Sequence, residues 1–173
     1  ILDDDGQEVA QGEVGEICTR SESRYDGYYK DEVLTAETRR GDYLTVGDLG
    51  RIDAEGLLWF TGRKRDIIKS GGINVYAPEI EEALASHPAI AEAHCIGLPD
   101  PRWTEAICAV IVPAPDAKLT KAEVIAHAES RLDRYKRPRR VVFMAAVPRN
   151  LTGRVLKTEL KETVLTLPEE ETQ

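Results

Sequence analysis

The sequence predicts an α+β protein in two parts. A small antiparallel, β-rich part comes first, then a compact α+β domain with a small sheet and flanking helices. Three observations predict this. Turn residues interrupt short apolar runs at close intervals up to Thr61. After Ala77, segments with helical periodicity alternate with apolar strand-like runs. Between the two lies a basic joint, GRKRDIIKSGGINVYAPEIE, spanning Gly62 to Glu81. The boundary is set there, giving residues 1–64 and 65–173.

The first part reads as short strands. Gly12 precedes one, Glu13 to Cys18, and a polar loop follows from Ser21 to Gly27. Lys30 to Arg40 contains a short helix. Tyr43–Val46, Leu49–Ile52 and Leu57–Thr61 are the next strands, and Asp53-Ala54-Glu55-Gly56 turns the last two into a hairpin. Beyond the joint, Asp66–Lys69 and Ile73–Tyr76 flank the Ser70-Gly71-Gly72 turn. Pro78 suits the first turn of a helix. Ile80, Ala83, Leu84 and His87 then form one apolar face before Pro88 stops it. Ile90–Gly97 and Glu105–Val112 are strands, with Leu98-Pro99-Asp100-Pro101 as the turn between them. Thr120 and Glu123 have capping-box spacing, and the helix they open runs through Val124, Ile125, Ala128, Leu132 and Tyr135. Arg139–Ala146 is a further strand, Pro148–Gly153 a loop and Val155–Val164 a last helix; Pro168 to Gln173 reads as frayed.

Composition narrows the function. The chain has 173 residues, 42% hydrophobic and 31% charged, which suits a folded globular protein. The net charge of −8 argues against nonspecific nucleic-acid binding, which needs a basic surface. No apolar stretch approaches the roughly 20 residues of a membrane span. Cys18, Cys95 and Cys108 have no CxxC spacing and read as reduced thiols of a cytoplasmic protein. His87, His94 and His127 lack metal-ligand spacing, and no metal site is expected. The chain opens on Ile1 in what reads as mid-strand, so a fragment of a longer polypeptide is expected.

Three stretches could carry chemistry. Asp48, between Gly47 and Gly50, can accept both hydroxyls of a ribose or can be a plain turn carboxylate. Arg63, Lys64, Arg65 and Lys69 cluster beside Gly71 and Gly72, either as a phosphate contact or as a solvated basic turn. Thr152-Gly153-Arg154 is a second basic, glycine-bearing loop, able to reach an anion or simply to lead into a helix.

Read together in order, these stretches resemble the carboxy-terminal portion of the adenylate-forming enzymes, which include acyl-CoA and aryl-CoA synthetases. Gly12–Ile17 with Gly27-Tyr28-Tyr29 is similar to the family's GE(L/I)…GY segment. Tyr43–Asp48 is similar to (W/Y)xxTGD, and GRKRDIIKSGGINVYAPEIE to GRxxDxIxxxGxxIxxxEIE. IGLPDPRWTEAICAVIV is similar to GxPDxxxGExxxAxVV, Tyr135-Lys136-Arg137-Pro138 to YKxP, and PRNLTGRVLK to PxxxxGKxxK.

The resemblance implies a ligase that uses ATP with Mg2+, forms an acyl-adenylate from a carboxylic acid, releases pyrophosphate, and then transfers the acyl group to coenzyme A with loss of AMP. It implies that residues 1–64 end a larger AMP-binding domain whose amino-terminal bulk is missing. It also implies that Arg65 is a hinge for the domain that follows. By motif position Asp48 would hold the ribose and Arg63 the ribose–phosphate region. Lys69 would act in catalysis on the hairpin, Ser70, Gly71 and Gly72 would line the pantetheine path, and Glu79 would help hold that hairpin. Arg154 stands at the family's adenylation lysine, with Lys157 a weaker substitute; Thr104 replaces a usual glycine and Val46 a usual threonine. Alone the chain is expected to be inactive and to hold no cofactor. Two alternatives stay open: a peptide-synthetase adenylation domain, and a noncatalytic or regulatory remnant of the fold.

Overall fold

The structure, a computed structural model, describes residues 1–168. The acidic end read as frayed lies, past Pro168, outside the described residues. The chain divides into two compact units, Ile1–Arg65 and Asp66–Gln173. The fold is α+β, as the sequence predicts.

The first unit is built on one long strand. Strand β1 is Gly15–Thr19, helix α1 Glu32–Glu37, β2 Arg39–Arg40, β3 Tyr43–Ile52 and β4 Leu58–Arg63. β3 pairs antiparallel with β1, β2 and β4. Leu44 is opposite Thr19 on one edge and Arg39 on the other, so β2 and β4 share the edge that β1 does not use. The two strand pieces expected at 43–46 and 49–52 are one strand. Gly47, at φ +76, bends it without breaking it, and a register shift between Leu49 and Gly50 absorbs the extra residue. The β3–β4 turn forms as expected. Asp53 Oδ1 accepts from the amides of Glu55 and Leu57 at 3.0 and 2.8 Å. Helix α1 starts where Asp31 accepts from the Leu34 amide at 2.9 Å.

The second unit is a sheet covered on both faces. Its strands are β5 (Ile67–Ser70), β6 (Ile73–Tyr76), β7 (Ile90–Asp100), β8 (Thr104–Pro113) and β9 (Arg140–Phe143). Its helices are α2 (Ala77–Ala85), α3 (Lys121–Glu129) and α4 (Lys157–Thr166). The order is β6-β5-β8-β7, and β9 runs parallel to β8 while the other pairs are antiparallel. β8 explains the layering. Ile107, Ala109 and Ile111 enter one buried cluster with Ile80 and Leu84 of α2 and Val124 and Ala128 of α3. Cys108 and Val110 enter a second cluster with Leu160 and Val164 of α4. Successive residues of a strand point to opposite faces, so an unbroken apolar run means both faces are covered.

Several boundaries differ from the expectation, each for a tertiary reason. β7 continues through Leu98 and Pro99, which pair with Ala106 and Glu105, so the turn is Pro101–Trp103. Asp100 Oδ1 sets it by accepting from the amides of Arg102 and Trp103 at 2.8 and 2.9 Å. The capping box of α3 forms, but the helix stops at Glu129. Leu132 still packs into the core, whereas Asp133 turns extended and opens a separate 3-10 turn at Arg134–Lys136. β9 is confined to Arg140–Phe143, the stretch with partners on β8. α4 begins at Lys157 because Val155 is held in a bridge to Arg149. Among the described residues no helix is long and apolar enough to cross a membrane.

Candidate functional site

Asp48 and Arg63 face each other across β3 and β4 as register partners. Arg63 Nε lies 3.4 Å from Asp48 Oδ1, close enough for charge pairing. That same Oδ1 is buried and accepts no hydrogen bond. A native buried polar atom without a donor is uncommon and asks for a reason. The carboxylate therefore stands oriented by a cation and still has acceptor capacity. Thr45 Oγ1, in the same strand, accepts from the Gly47 amide at 3.1 Å and fixes the bend from which Asp48 leaves. Val46 is 61% exposed, so the missing hydroxyl at that position leaves an apolar side chain in the open.

Arg65 lies in the 3-10 turn Lys64–Asp66 and is exposed. Next comes the hairpin of Lys69, Ser70, Gly71 and Gly72. Ser70 is 6% exposed and pairs with Ile73 and with Thr104 of β8. The Gly71 amide donates to the Trp103 carbonyl at 2.8 Å. Both glycines have positive φ, +60 at Gly71 and +79 at Gly72. A Cβ at Gly71 would sit 2.8 Å from the Trp103 ring, whereas one at Gly72 would meet nothing within 4 Å. The Trp103 ring is itself covered by guanidinium groups, Arg139 at 4.0 Å and Arg102 at 5.0 Å from its centroid.

Glu79, expected to hold this hairpin, bonds Lys136 Nζ at 2.5 Å instead. Burial pushes the Lys136 ammonium down, but the hydrogen bonds and charges of Glu79 and Tyr135 together outweigh it and its pKa is raised. The carboxylate that reaches the hairpin is Glu105. Its Oε2 accepts from the Lys69 amide at 2.9 Å and its Oε1 pairs with Lys161 of α4 at 3.1 Å. Gly97 makes room for it, since a Cβ there would lie 2.6 Å from Glu105 Oε2. The Lys69 side chain remains exposed.

Arg154 rides on a loop organised by Asn150. Asn150 Oδ1 accepts from the Thr152 amide, the Thr152 hydroxyl and the Arg154 amide at 3.1, 2.8 and 2.8 Å. Gly153, at φ +82, completes the turn. Arg149 donates to the Gly153 carbonyl at 2.8 Å and also pairs with Glu92 of β7. The Arg154 guanidinium is exposed, and no hydrogen bond or ion pair engages it among the described residues. Lys157 is committed inward, to Glu81 Oε1 at 2.9 Å and the Cys95 carbonyl at 3.3 Å. Of the two cations, Arg154 is the one left to meet a ligand. Asn150 and Glu105 lie inside motifs of the sequence reading but carry no role of their own there. The N-x-T-G pattern is an Asx-turn signal for the first, whereas only the three-dimensional contact brings out the second.

Residues 79–154 match the model of the AMP-binding enzyme C-terminal domain. This chain carries the carboxy-terminal portion of an adenylate-forming enzyme. It is 39% identical over 164 residues to the indoleacetate–CoA ligase of Aromatoleum aromaticum, covering 95% of this chain and 32% of that one. Its fold is similar to ATP-bound MatB of Rhodopseudomonas palustris, with a TM-score of 0.88 and 32% identity over 95% of this chain and 33% of that chain. It is also similar to the o-succinylbenzoate CoA synthetase MenE of Bacillus subtilis in complex with its acyl-adenylate, at TM-score 0.85 and 33% identity over 92% and 33%. The chain thus spans about a third of the length of these adenylate-forming relatives. The matched segment includes Glu79, the Pro101–Trp103 turn, Glu105, the Tyr135–Pro138 stretch and Arg154, all within the stretch that matches the AMP-binding enzyme C-terminal domain.

Proposed function

We propose that this chain works as the carboxy-terminal part of an AMP-forming acid–thiol ligase, joined to a larger preceding domain that holds the carboxylic acid. In the first half-reaction a carboxylate oxygen attacks the α-phosphorus of ATP and pyrophosphate leaves. In the second, the thiol of coenzyme A attacks the acyl carbon and AMP leaves. The observation that carries the reading is the buried, donor-less Oδ1 of Asp48 beside Arg63. A ribose diol supplies hydroxyl donors to such a carboxylate.

The remaining residues then take distinct roles. The free guanidinium of Arg154 neutralises charge on the phosphate during adenylation. Arginine is planar and bulkier than an ammonium, so it performs that step less well than lysine would. Lys69 and the Ser70-Gly71-Gly72 turn serve thioester formation. The turn shapes the pantetheine path, where Gly72 keeps a side chain out of the way. Arg65 is the pivot that presents Arg154 for the first step and the hairpin for the second. Among the described residues no group of three or more His, Cys, Asp or Glu could hold a metal. A magnesium ion brought in by ATP would be held largely by the nucleotide phosphates and water, and no step here passes through it. The unpaired thiols suit a reducing, cytoplasmic setting.

The test is carboxylate-dependent pyrophosphate release by the full-length protein. Asp48→Ala removes a charged acceptor of two hydroxyls and should lower kcat/KM for ATP by about a hundredfold, with the KM for the acid little changed. No such release by the full-length protein, or ATP–pyrophosphate exchange sustained by residues 1–173 alone, would overturn the proposal.

A further inference from the structure

Glu16 is a charged side chain with almost no access to solvent. Its carboxylate is 4% exposed on β1, where its backbone pairs with Leu49, the residue after Asp48. Oε1 accepts from the Thr45 hydroxyl at 2.9 Å. That hydroxyl oxygen in turn accepts from the Gly47 amide at 3.1 Å, one residue before Asp48. Oε2 lies 3.2 Å from Lys64 Nζ and 3.4 Å from an Arg40 terminal nitrogen. Lys64 directly follows Arg63, and its ammonium also binds Asp4 at 2.6 Å.

A buried carboxylate with its cations is a poor source of stability, because desolvation offsets most of the attraction. What such a cluster supplies is directional restraint. Here the restraint falls on the two sequence neighbours of the Asp48–Arg63 pair: Gly47 through the Thr45 hydroxyl, and Lys64 through the ion pair.

We propose that Glu16 is a positioning residue for nucleotide recognition, setting Asp48 and Arg63 from behind through Thr45 and Lys64. This rests on the reading that Asp48 accepts the ribose hydroxyls. Glu16 touches no substrate. Its effect lies in how well two hydroxyls are read at once, because a carboxylate that shifts keeps one bond more easily than both.

The experiment measures discrimination between ATP and 2′-deoxy-ATP, as the ratio of their kcat/KM values in carboxylate-dependent pyrophosphate release by the full-length ligase. Glu16→Gln should reduce that ratio by about tenfold, the scale expected from a small misplacement at a site, with the KM for the carboxylic acid unchanged. Thr45→Val, which removes only the hydroxyl link and leaves the ion pairs, should reduce the ratio in the same direction, and Thr45→Ser should restore it. A role in folding alone would lower both nucleotides equally and leave the ratio intact. If Glu16→Gln does not fold, Thr45→Val and Thr45→Ser decide the matter. Asp48→Asn separates the two ideas. If it leaves the ratio intact, the ribose reading fails and this inference with it. If it collapses the ratio while Glu16→Gln and Thr45→Val do not, only the positioning role is overturned.

Discussion

Thr104 has φ +67, in the left-handed region where glycine is at ease and a β-branched residue is not. It closes the turn after Trp103, pairs with Asp100 across β7–β8, and also pairs with Ser70 of the hairpin. The left-handed conformation costs an L-residue about 1–2 kcal/mol. Replacing threonine by glycine removes that cost but adds unfolded-chain entropy, roughly 0.4–1 kcal/mol in the other direction. Thr104→Gly should therefore stabilise the second unit by about 0.5–1 kcal/mol. For a unit of that size the unfolding temperature rises by about 3–6 °C. Thr104→Ala keeps the Cβ and should gain little. The assay is thermal and urea unfolding of the wild-type chain and both variants, with equal urea m-values so that midpoints report stability. If Thr104→Gly melts at or below the wild type, or if Thr104→Ala stabilises as much as Thr104→Gly, the strain assigned to this position is not there.

Other expectations are briefer. Arg154→Lys in the full-length protein should raise carboxylate-dependent pyrophosphate release severalfold, and no gain would show that arginine serves the step equally well. Glu105→Ala frees the Lys69 amide and Lys161, and should slow thioester formation more than adenylation when the half-reactions are timed separately; equal slowing would point to general destabilisation. His127 is pushed below its ordinary value of 6.5, chiefly by burial, although its hydrogen bond to the Ala83 carbonyl opposes this. The folded state then takes up the proton less readily than the unfolded state. Its contribution to stability is present above pH 6.5 and is lost as pH falls below it. The drop in melting temperature between pH 7.5 and 5.5 should be smaller in His127→Gln. Burial pushes the Cys108 thiol up to about 12 and raises that of Cys95 as well. Native protein treated with a thiol reagent at pH 8 should thus leave both unmodified until denaturant is added.

Local signals were the legible ones. The Thr120–Glu123 capping box, the Asp53–Gly56 turn and the unbroken apolar run of β8 each rest on neighbours a few residues apart, and each forms. Pro99 misled because proline usually marks a turn, yet here it sits within β7 opposite Glu105. Leu132 and Tyr135 continued the helical period, but Asp133 breaks the backbone between them while Leu132 is still drawn into the core. At the candidate site, ordered motifs marked Asp48, Arg63 and Arg154, since each lies within its own short pattern. The carboxylates behind them lay within motifs too, but their contacts did not show. Glu105 reaches Lys69 from 36 positions away and Glu16 reaches Lys64 from 48, and no periodicity encodes a contact made by folding across such distances.

The two glycines of the hairpin turn offer separate handles on one loop. Gly71 is fixed twice over, by its backbone angle and by the indole against it, so any side chain there disturbs the structure itself. Gly72 is fixed by its angle alone and opens onto free space. Asparagine tolerates that backbone region better than most residues, so position 72 can be given a small side chain while the sheet beneath stays in place. If the proposed pantetheine path runs past this turn, graded side chains at position 72 should change which thiols react without rebuilding the domain.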